Sequence, residues 1–178
     1  FAGEGAFVDS SPNYAGSLGI AGDACSNAIA EDADVVIAVG TKLQDFTTGS
    51  WALFKDPKVR IVAINAARWD AMKQSATGVI GDADASIKQI DDVLGDYAAP
   101  VEWLERAQSE KAAWNAHLDE FGRAVSDPPA YNQVIQRFHQ VCDDSDYILS
   151  AAGGLPGELF AGWRTKEINT FDVEFGFS

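Results

Sequence analysis

Cysteine is almost missing from this chain: Cys25 and Cys142 are the only two in 178 residues. They lie far apart and in no CxxC spacing, which excludes a disulfide framework and a cysteine-based zinc motif. Two reduced thiols are what remains, as a reducing compartment would keep them, and a cytoplasmic location is expected. Histidine is as scarce. His117 and His139 lack a second ligand type at helical spacing, so both read as surface or packing residues. Basic residues are few, 13 against 27 acidic ones, for a net charge of −14. That balance disfavours nucleic acid and anionic membrane surfaces as partners. No apolar run approaches bilayer length, and no signal-peptide pattern opens the chain. The Gly-x-Ser-x-Gly elbow, HExxH and the Walker loop are absent as well, so self-contained hydrolase and triphosphatase readings lose their usual support. The chain opens on Phe1 rather than Met and ends inside an apolar run, so a segment of a longer protein is expected.

Apolar residues, by contrast, make up 47% of the chain, enough for a sizeable core. Residues 1–21 read as loop. They carry Gly16-x-x-Gly19-x-x-Gly22, whose spacing differs from the dinucleotide fingerprint and points to close backbone approach instead. A helix over Asp23–Ala33 follows, with a small-residue face at Ala24, Ile29 and Ala30 suited to packing on a sheet. The β-branched run Asp34–Gly40 has the pattern of a parallel strand buried on both faces. The polar loop Thr41–Ser50 would then lie at a carboxyl strand end, where open α/β sheets place ligands. Asp45 is the best-placed carboxylate there, or simply a turn former. A helical turn is expected at Gly49–Phe54, a second strand at Val59–Asn65 with Asn65 and Arg68 at its carboxyl end, and a turn of helix at Trp69–Lys73. A short strand at Gly78–Ile80 and a helix at Asp84–Leu94, started by an acidic cap and ended by Gly95, complete a parallel α/β unit.

Tyr97–Pro100 reads as a boundary. One amphipathic helix is expected over Val101–Gly122, with Trp103, Leu104, Ala107, Trp114, Leu118 and Phe121 on a stripe. A second helix over Ala130–Cys142 would turn Val134, Ile135, Phe138 and Val141 inward. The strand Tyr147–Ser150 leads into Gly153-Gly154-Leu155-Pro156-Gly157, a small-residue turn opening a short helix, and a last strand runs over Phe171–Phe177. Backbone amides at such a turn can approach a phosphate, because glycine lacks the Cβ that would block it; the same residues also make a plain turn. Glu174 is either a buried group in need of a partner or a strand-edge carboxylate facing water.

The order of elements resembles the thiamine-diphosphate-dependent enzymes of the acetolactate synthase type. Asp32–Thr41 is similar to the central-domain strand of that superfamily, and Gly81-Asp82-Ala83 to its later strand-to-helix junction. Gly19–Gly22 and Thr41-x-x-x-Asp45-Phe46 are family-like more loosely. The run Ser150–Leu159, then Trp163, then Asn169–Ser178 resembles one branch, the cyclic-1,2-dione hydrolases of inositol catabolism. Related synthases have Gln-His-Gln where Leu155-Pro156-Gly157 stands.

The resemblance implies a Rossmann-like central domain (residues 1–97), a linker helix (98–127) and the start of a pyrophosphate-binding domain (128–178). It implies thiamine diphosphate and Mg2+ as cofactors, and hydrolytic opening of 3D-trihydroxycyclohexane-1,2-dione to 5-deoxyglucuronate in a homodimer or tetramer. Gly153, Gly154, Leu155, Pro156 and Gly157 would cradle the diphosphate, and Glu174, Phe175 and Gly176 would lead towards the cofactor rings. The glutamate that activates the cofactor and the Gly-Asp-Gly magnesium motif would lie outside these 178 residues, so no catalytic or metal-binding residue is expected among them. Residues 1–178 alone are then expected neither to bind the cofactor tightly nor to turn over. Other readings are an acetolactate synthase-like carboligase, a non-catalytic module binding FAD or ADP, and a dimerisation piece built on the aromatic helix.

Overall fold

The structure, a computed structural model, describes residues 3–174. Two parallel sheets are joined by one long helix. The first sheet holds β1 (Val35–Val39), β2 (Arg60–Asn65) and β3 (Thr77–Ile80) in the order β1-β2-β3. Val36 pairs with Ile61, Ala38 with Ala63 and Val62 with Thr77. The second sheet pairs β4 (Ile148–Ser150) with β5 (Phe171–Val173). Parallel neighbours need crossovers, and the crossovers bring α2 (Asp45–Thr48), α3 (Arg68–Ala71) and α7 (Gly154–Gly162) to carboxyl strand ends.

Local chemistry explains the element ends. α1 (Ala24–Glu31) starts at Asp23, and α4 (Ala83–Leu94) at Asp82, whose Oδ1 accepts from the Ala85 N–H at 2.9 Å. α4 stops at Gly95, where φ is +54°. The helical turn expected at 49–54 forms instead at Asp45–Thr48, and Gly49 terminates it in the left-handed region. The long helix α5 (Val101–Arg123) and the helix α6 (Tyr131–Val141) fall where the apolar spacing puts them. Gly122 lets them touch: a Cβ there would lie 2.6 Å from Cγ of Gln136.

Three expectations about faces change. β1 is not covered on both sides, since Val35, Ile37 and Val39 are all exposed while Ala38 is buried. β1 is an edge strand, and among the described residues only its Ala38 side is sealed, by Leu43, Ala63, Trp51 and Ile61. α1 packs chiefly on α5 rather than on a sheet. On α6, Ile135 is buried as expected and Val134 is half-buried, but Phe138 and Val141 face outward. The buried side of α6 is largely polar: Asn132, Gln133 and Gln136. Every one of these amides is bonded. Gln136 Nε2 donates to Gly162 O (3.1 Å) and Asn132 Oδ1 (3.2 Å), while Gln133 takes Ala130 N–H and gives to Ala124 O. The core beneath α6 is Ile135, Leu159, Phe160, Trp163, Phe171 and Val173.

α5 connects the two sheets through side chains at both ends. Arg106 Nη2 meets Asp32 Oδ2 at 2.6 Å, and Arg164 Nη2 meets Asp119 Oδ1 at 2.7 Å and Asn115 O at 2.9 Å. The opening segment also reaches both units: Asn169 N–H donates to Gly5 O and Asp9 N–H to Thr165 O on one side, and Ile20 N–H to Phe46 O on the other, each at 2.8 Å.

Candidate functional site: a cleft closed by the glycine turn

β4 ends at Ser150, and the chain leaves its carboxyl end through Ala151 and Ala152 into Gly153. There φ is +128°, a region that side-chain-bearing residues rarely occupy, so glycine is required by conformation. Gly153 is the N-cap of α7, and among the described residues no side chain bonds to the helix start. The first-turn amides of Gly154 and Leu155 therefore have no side-chain acceptor, and Pro156 removes one further orphan donor by lacking an N–H. A bare helix start of this kind favours an anion. Ala152, Gly153, Pro156 and Gly157 line a cleft of about 990 Å3.

The facing wall comes from the carboxyl end of β1. Gly40 N–H donates to Ile64 O at 2.9 Å, and Asn65 Nδ2 holds Thr41 O at 3.1 Å, which fixes the departing loop against β2. Gly40, Thr41, Lys42, Gln44, Phe46 and Thr47 then line the cleft. Lys42 is the only charged side chain among its described lining residues. The third side is the turn at Gly19–Ala21. Ile20 N–H donates to Phe46 O at 2.8 Å, and Ala21 Cβ would lie 3.7 Å from a Cβ at Gly157. A largely apolar lining with one cation and a bare helix start suits an elongated ligand with an anionic end, and the volume is that of a cofactor-sized site.

The expected site residues divide. Gly153, Pro156 and Gly157 line the cleft; Gly154 does not, since its Cβ position faces the Tyr131 ring at 3.6 Å, and Leu155 is partly exposed. Glu174 is exposed, and its N–H donates to Ser150 O at 2.8 Å. Phe175 and Gly176 lie outside the described residues. Asp45 sits in the first turn of α2 beside a smaller hollow shared with Lys73 and Gln74, and Arg68 is exposed at the start of α3. Gly16, Gly19 and Gly22 serve close approach: Cβ atoms there would fall 1.8 Å from Asp23 Oδ2, 2.1 Å from Phe46 O and 2.2 Å from Ser17 O. His139 packs on Trp163 with ring centroids 4.9 Å apart, and burial pushes its pKa below the usual range. His117 lies between Trp114 and Phe121. Among the described residues no three His, Cys, Asp or Glu side chains are grouped to hold a metal ion. Lys42 was not singled out in the sequence reading, although it stands in the same loop as Asp45, three residues nearer the end of β1, whereas Ala21 lies within the Gly19–Gly22 segment named there.

Residues 1–90 match the family model described as thiamine pyrophosphate enzyme, central domain. The chain belongs to the thiamine pyrophosphate enzyme family. Its relatives include proteins named 3D-(3,5/4)-trihydroxycyclohexane-1,2-dione hydrolase. The one from Geobacillus thermodenitrificans (strain NG80-2) is 33% identical, over 99% of this chain and 31% of the relative. Those from Clostridium botulinum (strain Alaska E43 / Type E3) and Clostridium perfringens (strain ATCC 13124) are 29% and 31% identical, over 99% of this chain and 31% and 32% of the relatives. The chain thus spans about a third of the length of the curated relatives it matches. The parallel α/β architecture agrees with membership of the thiamine pyrophosphate enzymes. No described helix is long and apolar enough to cross a membrane.

Proposed function

We propose that this chain is the part of a thiamine-diphosphate-dependent hydrolase in which the central domain meets the start of the pyrophosphate-binding domain. In this reading residues 1–97 belong to the former, 98–127 link the two and 128–178 begin the latter. The parent enzyme would open the ring of 3D-trihydroxycyclohexane-1,2-dione to 5-deoxyglucuronate, acting as a homo-oligomer in the cytoplasm. The single observation that carries it is the Gly153–Gly157 turn, which presents an uncapped helix start to a cleft of about 990 Å3. The names and the near-complete coverage of this chain by relatives support the same reading.

The fit of a diphosphate follows from the turn. Among the described residues nothing lies within 4 Å of the Cβ position of Gly153, so the backbone there leaves room for close approach from the cleft side. The helix start at Gly153 would face the diphosphate, Gly157 would keep its path clear, and Lys42 would offset its charge from the opposite wall. When bound, thiamine diphosphate supplies a nucleophilic carbanion and then an electron sink for C–C cleavage. The residues described here hold and orient; the activating carboxylate and the Mg2+ ligands are assigned by family resemblance to other segments.

The test is thiamine diphosphate titration, with Mg2+, of the protein expressed at the length of its relatives. Gly157→Val should weaken cofactor binding at least tenfold and reduce ring opening of the cyclic dione, read as product mass, with the fold intact by circular dichroism. Unchanged cofactor affinity would refute the assignment. A carboligase is the competing reaction on the same cofactor, and Leu155-Pro156-Gly157 argues against it. A flavin absorbance in the purified protein, without thiamine binding, would instead favour a nucleotide module.

A further inference from the structure

Outside the cleft lining, two carboxylates meet one ammonium and a third, Glu4, is buried beside them. Lys111, in the middle of α5, places Nζ 2.8 Å from Asp9 Oδ1 and 3.5 Å from Asp23 Oδ2, with 13% of its side chain exposed. The Tyr14 ring covers it, 5.3 Å from centroid to Nζ. Tyr14 OH donates to Glu4 Oε1 at 2.9 Å, and Ser17 Oγ donates to Glu4 Oε2. Glu4 and Asp23 are both buried, and Asp23 Oδ1 has no hydrogen-bond partner among the described residues. With all groups ionised, the cluster would carry three negative charges against one positive in a poorly hydrated site, which favours uptake of a proton.

The cluster holds a strap. Asp23 Oδ2 accepts from Ser17 N–H at 3.2 Å, Asn27 grips Gly19, and Ile20 N–H reaches Phe46 O at the cleft edge. Residues 14–23 therefore run from the buried charges to the cleft wall at Ala21.

We propose that Glu4, Asp23 and Lys111 form a proton-operated clasp: with a proton taken up, the buried cluster stays closed beneath residues 14–23 and fixes the cleft wall at Ala21; with every carboxylate ionised, burial and mutual repulsion let the strap slacken. Burial pushes the Asp23 carboxyl up to about 7, Glu4 adds to the rise, and Lys111 and the Ser17 N–H oppose it. Burial raises Glu4 likewise, against its bonds from Ser17 and Tyr14. An acid whose pKa is raised in the closed form adds stability that is complete below the ordinary carboxylate range. That stability is lost as pH rises to about 7. Of the other groups facing Asp23, Tyr14 is raised, Cys25 is pushed up to about 11 and Lys111 is raised, so each keeps one form from pH 5 to 8. Asp9 is the remaining partner of Lys111. His139 on α6, the next titrating group, is pushed below its usual range and senses Asp9, Arg164 and Lys166.

Amide hydrogen exchange of the 178-residue chain tests this without any ligand, and so independently of what fills the cleft. Opening that releases one proton changes its equilibrium by about tenfold per pH unit. Protection of Ser17, Gly19 and Ile20, corrected for intrinsic rates and referred to β2, should fall by about tenfold or more from pH 5 to 7 and level off above. In Asp23→Asn the fall should shrink to about threefold or less. Carbon-13 titration of the Asp23 carboxyl in the unaltered chain, which needs no variant to fold, should show a midpoint near neutrality. Protection independent of pH, an equally steep fall in Asp23→Asn, or an Asp23 midpoint in the ordinary carboxylate range would each overturn the clasp.

Discussion

Asn27 grips both backbone polar groups of Gly19: its Nδ2 donates to Gly19 O, and its Oδ1 accepts from Gly19 N–H, each at 2.9 Å. The side chain thus replaces the strand or helix partner that this turn lacks. The turn in turn reaches Phe46 at the cleft wall.

Asn27→Ala removes both bonds from a half-buried site and should cost about 1–3 kcal/mol of stability. Asn27→Asp keeps the acceptor and should lose less. Urea denaturation followed by tryptophan fluorescence checks both, and an Asn27→Ala midpoint equal to wild type would deny the side chain this role.

Gly19 and Gly157 stand on either side of Ala21 and should respond oppositely to alanine. At Gly19, φ is +114° and a Cβ would lie 2.1 Å from Phe46 O, so Gly19→Ala should lose about 2 kcal/mol or more. At Gly157 a Cβ meets only Ala21 Cβ at 3.7 Å and sits within a helix, so Gly157→Ala should be neutral or gain up to about 1 kcal/mol. Melting temperatures of the two variants measured side by side decide the matter.

α6 carries a reversal that stability measurements can expose. Gln136→Leu would strand Gly162 O and Asn132 Oδ1 and should cost about 1–3 kcal/mol, although it makes the helix more apolar. Val141→Ser, at a position 77% exposed, should change the stability of this chain by about 0.5 kcal/mol or less. Equal costs for the two would mean that the apolar stripe, not the amide face, lies against α5 and α7.

The positions of the strands were readable because β-branched runs such as Val35–Val39 and Ile61–Ile64 announce themselves locally. So was the turn at Gly153, where the residues around it leave few conformations open. Burial of a face was harder to read. Gln133 and Gln136 are polar by type, and only the carbonyls of Ala124 and Gly162, brought near by tertiary packing, make their burial acceptable. Phe138 and Val141 followed the helical period and still ended outside. Lys111 has no local signal of its role, which depends on Asp9 and Asp23, about ninety to a hundred residues earlier. The loop Thr41–Ser50 was legible as lying at a ligand-side strand end, but its meeting with the glycine turn was not, since Lys42 and Gly157 come together only through the fold.

α5 has 23 residues, a rod of about 35 Å at 1.5 Å per residue. One sheet is lashed to it at Arg106 and the other near Asp119. A crevice whose two jaws hang from one axle, with the opening segment tied across them, can gape only if those ties give way. Entry and exit of whatever occupies it would then be timed by how fast those lashings let go, rather than by the width of the mouth.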